Sequence, residues 1–300
     1  MREQILKCLG VFPQKCSLNL KTIGEEDCGD YTRQLIEYDV EPGETVQSYL
    51  LVPKKLKEKN PAVLAIHQHA GKWHLGKSEV VGLAGDPMFA YGLDLVKRGY
   101  IVIAPDLLCF ESRMGAGFEN DKNGQQNFER LMFCKYIQYG SCLQTKYLHD
   151  LSCAIDVLET FDFVDRNKIA AIGHSMGGQE CVWITWYDNR IKAGVSSCGV
   201  GAMESIIRHQ IAHCFALYVP GLNCICDMDE IIREIAPRSI MITSGLRDSA
   251  HFPLDSVEKL ETANLGSKHF RSVKFDDGHK FNDSEKAAAY QWLDECLNNI

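Results

Sequence analysis

Short runs of apolar residues alternate with amphipathic segments along most of the chain. Continuous apolar runs at 62–66, 100–104 and 169–173 are typical of strands that are buried on both faces of a sheet. Residues 144–160 instead carry apolar side chains at intervals of three and four, which predicts a helix with one buried face. The chain is therefore predicted to alternate strands with helices.

The alternation continues towards the C-terminus and predicts an α/β fold, with a mostly parallel central sheet flanked by helices. The further predicted helices are 86–98, 176–187, 253–265 and 283–297, and the further predicted strands are 193–197, 239–244 and 270–275. The first of these helices has Asp86 as its predicted N-cap and Pro87 in its first turn.

The N-terminal part of the chain follows a different pattern. Two predicted strands at 31–38 and 45–52 flank the turn sequence Glu41-Pro42-Gly43-Glu44 and predict a β-hairpin. Residues 1–30 are predicted to be a helical or irregular extension. Residues 31–300 are predicted to be one domain, because no internal repeat or low-complexity linker divides them.

Two long segments interrupt the regular alternation. Residues 107–143 are rich in aromatic residues and glycine, and residues 198–237 contain histidines, Tyr218 and Pro220. Both follow the carboxyl ends of predicted strands, where open α/β sheets bind their ligands. We expect these excursions to form pocket walls or a small lid.

The sequence around Ser175 predicts a nucleophile. The strand at 169–173 runs into Gly173-His174-Ser175-Met176-Gly177, and a helix-compatible segment follows. In this arrangement G-x-S-x-G forms a sharp turn that holds the serine hydroxyl clear of the sheet. Because the motif is short enough to occur by chance, the interpretation depends on an acid and a histidine further along the chain.

An aspartate and a histidine do follow Ser175 in the chain, each just after a predicted strand. The order Ser175, Asp248, His279 is the order that a strand-turn-helix serine hydrolase requires. His279 is predicted to accept the Ser175 proton, and Asp248 is predicted to orient the imidazole. Asp276 and Asp277 are rival acids, ranked lower because they lie too close in sequence to His279 to orient its ring easily.

An oxyanion hole needs two N–H donors, each worth about 2.7–4 kcal/mol of transition-state stabilisation. One donor is predicted to be the backbone N–H of Met176, which follows the nucleophile. The second is expected in the loop after the strand 62–66. We assign it to the backbone N–H of His69, with Gln68 as the alternative.

No metal or cofactor is predicted. His67 and His69 would point to opposite faces at a strand end, and no nearby carboxylate completes a ligand set with His74. Cys224 and Cys226 form a C-x-C pair without the second pair that a zinc site would use.

Composition narrows the class of protein. The formal net charge of −8 argues against a nucleic-acid partner. The chain lacks an apolar run long enough to cross a membrane and an apolar core typical of a secretory signal. Its 13 scattered cysteines would risk mispairing outside the cell, which favours a cytoplasmic location.

With these residues identified, the chain resembles the α/β-hydrolase superfamily, and more narrowly its dienelactone-hydrolase and acetyl-xylan-esterase-like branch. The matching segments are 61–71, Ala104-Pro105-Asp106, 173–178, 245–248 and Gly278-His279. The resemblance covers about residues 35–298 and implies esterase, peptidase, deacetylase or thioesterase activity. Dienelactone hydrolases proper use a cysteine nucleophile, so Ser175 favours ordinary ester chemistry over a lactone substrate.

The predicted function is a serine hydrolase that cleaves a small carboxylic ester, without a partner beyond its small-molecule substrate. A peptidase, a thioesterase or an acyltransferase remains an alternative, because the same acyl-serine serves all of them. A non-enzymatic binding protein of the same fold is disfavoured by the complete set of three residues. Trp73, Glu111 and Arg113 are predicted to line the substrate entrance, unless Glu111 and Arg113 form a structural ion pair. The sequence makes no prediction of oligomeric state.

Overall fold

A nine-stranded sheet runs through residues 1–298, the part of the chain that the computed structural model describes. The strands are β1 (Lys21–Asp27), β2 (Tyr31–Glu41), β3 (Glu44–Pro53), β4 (Asn60–Ile66), β5 (Ile101–Pro105), β6 (Val164–His174), β7 (Ile191–Ser197), β8 (Ser239–Gly245) and β9 (Phe270–Phe275). Their order across the sheet is β1-β2-β3-β5-β4-β6-β7-β8-β9. Strands β1, β2, β3 and β5 pair antiparallel, and the pairs from β5 to β9 are parallel. The predicted α/β fold with a mostly parallel sheet is confirmed.

Helices cover both faces of this sheet. They are α1 (Arg2–Leu9), α2 (Lys77–Val80), α3 (Tyr91–Lys97), α4 (Lys122–Gln138), α5 (Leu143–Glu159), α6 (Met176–Tyr187), α7 (Met203–Arg208), α8 (Met228–Arg233), α9 (Leu254–Ala263) and α10 (Asp283–Asn298). None of these helices is both long and apolar enough to cross a bilayer.

Strand β4 shows why the apolar runs are continuous. Leu64 and Ile66 contribute to the core on the face that α5 and α6 cover. Val63 and Ala65, at the alternate positions, contribute to the second core, which α3 and α10 cover. Because side chains alternate between faces and both faces are buried, every position of the strand must be apolar.

The N-terminal residues contribute more to the sheet than the sequence suggested. Strand β1 pairs antiparallel with β2, although all seven of its residues are exposed. It is an edge strand held by backbone hydrogen bonds, so its sequence carries no alternating apolar signal. Helix α1 places Ile5 and Leu9 in the core, fully shielded from solvent.

The predicted helix at 86–98 is divided in two. Asp86 does act as a cap, since its side chain accepts a hydrogen bond from the Met88 N–H, but it caps only a short 3₁₀ turn. The backbone of Ala90 then leaves the helical region, and α3 begins at Tyr91. The excursions are also more regular than expected, because 107–143 contains α4 and 198–237 contains α7 and α8.

Candidate active site

The chain turns sharply between β6 and α6, and Ser175 stands at the turn. Its backbone has φ 55° and ψ −123°, a strained conformation for any residue other than glycine. A Cβ at Gly173 would lie 2.1 Å from the carbonyl oxygen of Gly177, and a Cβ at Gly177 would lie 2.0 Å from that of Ile66. Only glycine fits at these two positions, and the turn holds the serine hydroxyl clear of the sheet.

Three side chains from the carboxyl edge of the sheet are joined in a line. The distance from Ser175 Oγ to His279 Nε2 is 2.8 Å, and the distance from His279 Nδ1 to Asp248 Oδ2 is 2.6 Å. The loop after β8 carries Asp248, and the loop after β9 carries His279. An ionised carboxylate only accepts, so Asp248 fixes the proton on Nδ1 and leaves Nε2 to accept from the serine hydroxyl.

The charge of Asp248 is stabilised by two imidazoles. Its second oxygen, Oδ1, lies 2.8 Å from Nδ1 of His251. Burial of Asp248 favours its neutral form, but the hydrogen bonds from His251 and His279 outweigh burial and lower the pKa of the carboxyl group. The hydrogen bond to Asp248 raises the pKa of His251 above its ordinary value. An ionised acid is therefore maintained beside His279 at neutral pH.

The proposed oxyanion donors lie on either side of the same cavity. In the described residues the backbone N–H groups of Met176, at the start of α6, and of His69 have no acceptor within the protein. His69 is held by its side chain, because Nδ1 accepts from the Gly71 N–H at 2.9 Å and Nε2 lies 2.9 Å from Glu129 Oε2. Gln68, the alternative donor, also lines the cavity, and its side chain donates to Glu79 at 3.0 Å.

A cavity of about 860 Å³ opens above Ser175. Both excursions contribute to its walls, Gln126 and Glu129 from the first, and residues 212–215 and Tyr218 from the second. Its apolar surface is largely aromatic, from Trp73, Phe89, Phe215, Tyr218 and Phe252. Ligand sites usually combine such apolar walls with a few polar groups, in a volume of about 300–1,000 Å³.

This geometry agrees with a family relationship that spans most of the chain. The model of the dienelactone hydrolase family matches residues 46–292. The chain belongs to the dienelactone hydrolase family. It is accordingly an α/β-hydrolase that acts on carboxylic esters, which confirms the predicted class of enzyme.

Several known proteins are similar over nearly their whole length. The Bacillus subtilis (strain 168) protein YtaP, which its name describes only as a hydrolase, is 29% identical over 265 residues, covering 87% of this chain and 84% of its own. An acetyl xylan esterase from Paenibacillus sp. R4 has a TM-score of 0.66 at 14% identity, covering 99% of this chain and 100% of that chain. A glucuronoyl esterase from Solibacter usitatus has a TM-score of 0.65 at 15% identity, covering 97% and 91%. The two structures show that the fold is shared.

Among the residues predicted to bind substrate, the structure brings only Trp73 to the cavity of this dienelactone hydrolase family member. Glu111 is paired with the buried Lys77 at 2.7 Å, away from the cavity. Arg113 is buried and pairs with Asp150 at 2.7 Å. The prediction that Glu111 and Arg113 line the entrance is therefore corrected. The alternative, an ion pair between the two, is also incorrect, because each has a different partner.

The rival acids lie outside the hydrogen-bonded line. The Asp276 side chain is 79% exposed and pairs with Arg247. Asp277 accepts hydrogen bonds from the Gly278 N–H and from Asn282. Neither carboxylate contacts the imidazole of His279, because a residue two or three positions before the histidine remains in the same surface loop.

Among the polar residues of the cavity wall that sequence reasoning missed, His251 and Glu129 contact residues of the proposed catalytic site. His251 lies three residues after Asp248, and that spacing within one turn was the available signal. Glu129 lies on α4, whose start is marked by Asp121, since the Asp121 side chain accepts from the Gly124 N–H. That capping residue was the signal for a helix inside the first excursion.

In the described residues, three side chains of the types that bind metals come together at one place outside the hydrogen-bonded line. They are Glu41, His149 and Asp150. The ammonium group of Lys146 pairs with the carboxylates of Glu41 and Asp150. His149 Nε2 is hydrogen-bonded to the carbonyl oxygen of Val40. Because a lysine already neutralises these carboxylates, the cluster has the chemistry of an ion pair network rather than that of a metal site.

Proposed function

We propose that this protein is a serine hydrolase that cleaves small carboxylic esters through an acyl-serine intermediate. The observation that carries the proposal is the line from Ser175 Oγ through His279 to Asp248, with hydrogen bonds of 2.8 and 2.6 Å. In this reading Ser175 is the nucleophile, His279 the general base and Asp248 the group that orients the base.

The reaction would proceed in two halves. His279 Nε2 takes the proton of Ser175 as its oxygen attacks the ester carbonyl, and the N–H groups of Met176 and His69 stabilise the oxyanion. The resulting imidazolium is stabilised by Asp248 and donates its proton to the departing alcohol. A water molecule then attacks the acyl-serine and gives a proton to His279, which returns it to the oxygen of Ser175 as the acid is released.

The site supports ester cleavage without a metal or a cofactor, since the residues present supply nucleophile, base and oxyanion donors. Two similar structures are named as esterases, which supports an oxygen ester as substrate. The cavity of about 860 Å³ has room for a substituent beyond a short acyl group. Its aromatic walls favour a substituent with an apolar face.

The cellular location of the protein is part of the same proposal. All 13 cysteines lie within the described residues, and none is in a disulfide. We propose that the protein works in a reducing compartment such as the cytoplasm, where free thiols persist.

The test is hydrolysis of nitrophenyl acetate, butyrate and octanoate by the native protein, by Ser175→Ala and by the exposed control Ser284→Ala. We expect Ser175→Ala to abolish turnover of every ester and Ser284→Ala to match the native protein. A fluorophosphonate probe should add the mass of its phosphonyl group, with loss of HF, to the native protein and to the control but not to Ser175→Ala. Turnover that survives in Ser175→Ala would refute the proposed nucleophile.

A further inference from the structure

One carboxylate, Asp248, binds two histidines. Oδ2 lies 2.6 Å from Nδ1 of His279, and Oδ1 lies 2.8 Å from Nδ1 of His251. A serine hydrolase needs only the first of these hydrogen bonds to orient its base. The second leaves the carboxylate with an imidazole on each oxygen, which fixes the plane of the carboxyl group.

The two imidazoles are also in direct contact. Their ring centroids are 4.1 Å apart and the rings are inclined by 26°, so His251 stacks on His279. Both rings line the cavity, and the side chain of His251 is 49% exposed. Asp248 accepts a hydrogen bond from Nδ1–H of His251, so Nε2 is the nitrogen of His251 that gains or loses a proton.

The position of His251 is fixed by the elements around it. Its backbone N–H donates to the carbonyl oxygen of Asp248 at 3.3 Å. From the second excursion, Nε2 of His213 lies 2.8 Å from the backbone carbonyl of His251. The titratable groups around His251 are Asp248 from its own loop, His279 from the loop after β9, His213 from the excursion and His174 of β6, whose pKa is lowered by burial and by His279 and His251. Burial lowers the pKa of His213, which favours its uncharged form.

We propose that His251 is a positioning residue, which holds the orienting carboxylate of Asp248 through Oδ1 and whose charge modulates His279 as the base. The proposal rests on the function proposed above, since it assigns a role relative to that base. Neutral His251 holds the carboxylate in place without adding charge. Protonated His251 places a cation against the ring of His279, where the imidazolium of each acyl-transfer step must form.

Two consequences follow for the pH dependence of kcat/KM. Protonation of His251 adds a positive charge beside the ring on which each acyl-transfer step forms an imidazolium, so the enzyme with a charged His251 stabilises the transition state less well. The acid limb of the profile should therefore contain a step, to a partly active level, that depends on His251. The hydrogen bond to Asp248 raises the pKa of His251, so this step should lie above the value of about 6.5 for an unperturbed histidine.

Two variants distinguish the effect of the hydrogen bond from His251 to Asp248 from the effect of the charge on His251. His251→Asn keeps an amide N–H near the position of Nδ1 but cannot ionise. His251→Phe keeps a stacked ring but has neither the donor nor the charge. At pH 8 we expect His251→Asn to keep its kcat within about threefold and His251→Phe to lose about 10–100-fold in kcat, with little change in KM. Both variants should lack the His251-dependent step in the acid limb.

A second readout does not depend on turnover. Imidazole ¹⁵N NMR of the native protein should show the proton of neutral His251 on Nδ1 and a titration at Nε2. The same signals should appear in Ser175→Ala, which isolates this test from the proposed function. Circular dichroism of each variant confirms folding before its kinetics are compared.

The outcomes are distinct. If the native protein hydrolyses no ester, the proposed function fails, while the NMR result still tests the tautomer of His251. If His251→Phe keeps native kcat at pH 8, or if His251→Asn keeps the step in the acid limb that is assigned to His251, the positioning role is overturned. A proton on Nε2 of neutral His251 would overturn it as well.

Discussion

At the scale of single residues, the chemistry depends on which carboxylate orients His279. Three aspartates lie near this histidine in sequence or in space, but only Asp248 reaches its Nδ1, at 2.6 Å. Burial of the Asp248 carboxyl group works against its charge, while the hydrogen bonds from His251 and His279 keep the pKa low. An orienting group of this kind acts through its charge and geometry together.

We predict that Asp248→Asn lowers kcat by about 10⁴-fold, because the amide can donate to Nδ1 and stabilise the wrong tautomer of His279. The matched variant Asp276→Asn should keep native kcat, since its carboxylate is exposed and pairs with Arg247. Steady-state kinetics on nitrophenyl acetate measure both. A large loss in Asp276→Asn with a small loss in Asp248→Asn would exchange their assignments.

These residues also show what a sequence can predict. Ser175, Asp248 and His279 each follow a strand of the parallel part of the sheet, and the carboxyl ends of parallel strands meet at one edge, so order and context were enough to predict that they converge. Arg113 carried no such signal. Its partner Asp150 is 37 residues away on α5, and contacts between distant segments depend on packing that local patterns do not encode.

At the scale of elements, helix α4 of the first excursion contacts the loop after β4, which carries the proposed second oxyanion donor. One oxygen of Glu129, Oε2, lies 2.9 Å from His69 Nε2 and accepts from Trp73 Nε1 at 2.7 Å. Glu129 is almost fully buried and lines the cavity. A single side chain of α4 therefore holds two residues of the loop after β4, including the one that carries the proposed second oxyanion donor.

We predict that Glu129→Leu lowers kcat by about 10–100-fold, because the loop loses the acceptor that positions His69. Glu129→Gln keeps an acceptor oxygen for both donors and should retain most of the activity. The control is Arg130→Gln, an exposed neighbour on the same helix. The loss should appear in kcat and in the affinity for a boronate transition-state analogue. Equal activity of Glu129→Leu and the control would argue against this role.

The elements differ in how well the sequence predicted them. Helix α5 was predicted at 144–160 and is found at Leu143–Glu159, since its apolar period faces a core. Helix α4 was missed because its apolar side chains are only partly buried: Phe128, Met132 and Tyr136 pack against the core at helical spacing, while only Gln125 and Glu129 of its 17 residues are fully buried. Strand β1 was missed for a related reason, as an exposed edge strand is specified by backbone pairing rather than by side chains.

At the scale of the whole molecule, a buried ion pair network joins segments that are distant in sequence. Asp150 of α5 pairs with Arg113 at 2.7 Å and with Lys146 at 2.9 Å, and Lys146 pairs in turn with Glu44 of the β2–β3 hairpin at 3.0 Å. Asp150, Arg113 and Lys146 are all buried. The network ties the hairpin and α5 to the beginning of the first excursion.

We predict that Asp150→Asn lowers the free energy of unfolding by about 3–5 kcal/mol at pH 7, because it leaves two buried cations short of a counter-charge. Burial of Asp150 disfavours its charge, but Arg113 and Lys146 outweigh burial and lower its pKa. The stabilisation from a lowered carboxyl pKa is present above the unfolded value of about 3.9 and is lost as the pH falls through the folded value. Urea unfolding should therefore show the native protein and Asp150→Asn converging below about pH 4. The exposed pair Glu204–Lys259 provides the control, where Glu204→Gln should change stability by less than about 1 kcal/mol. A difference between native protein and Asp150→Asn that stays constant with pH would show that the charge of Asp150 is not what stabilises this junction.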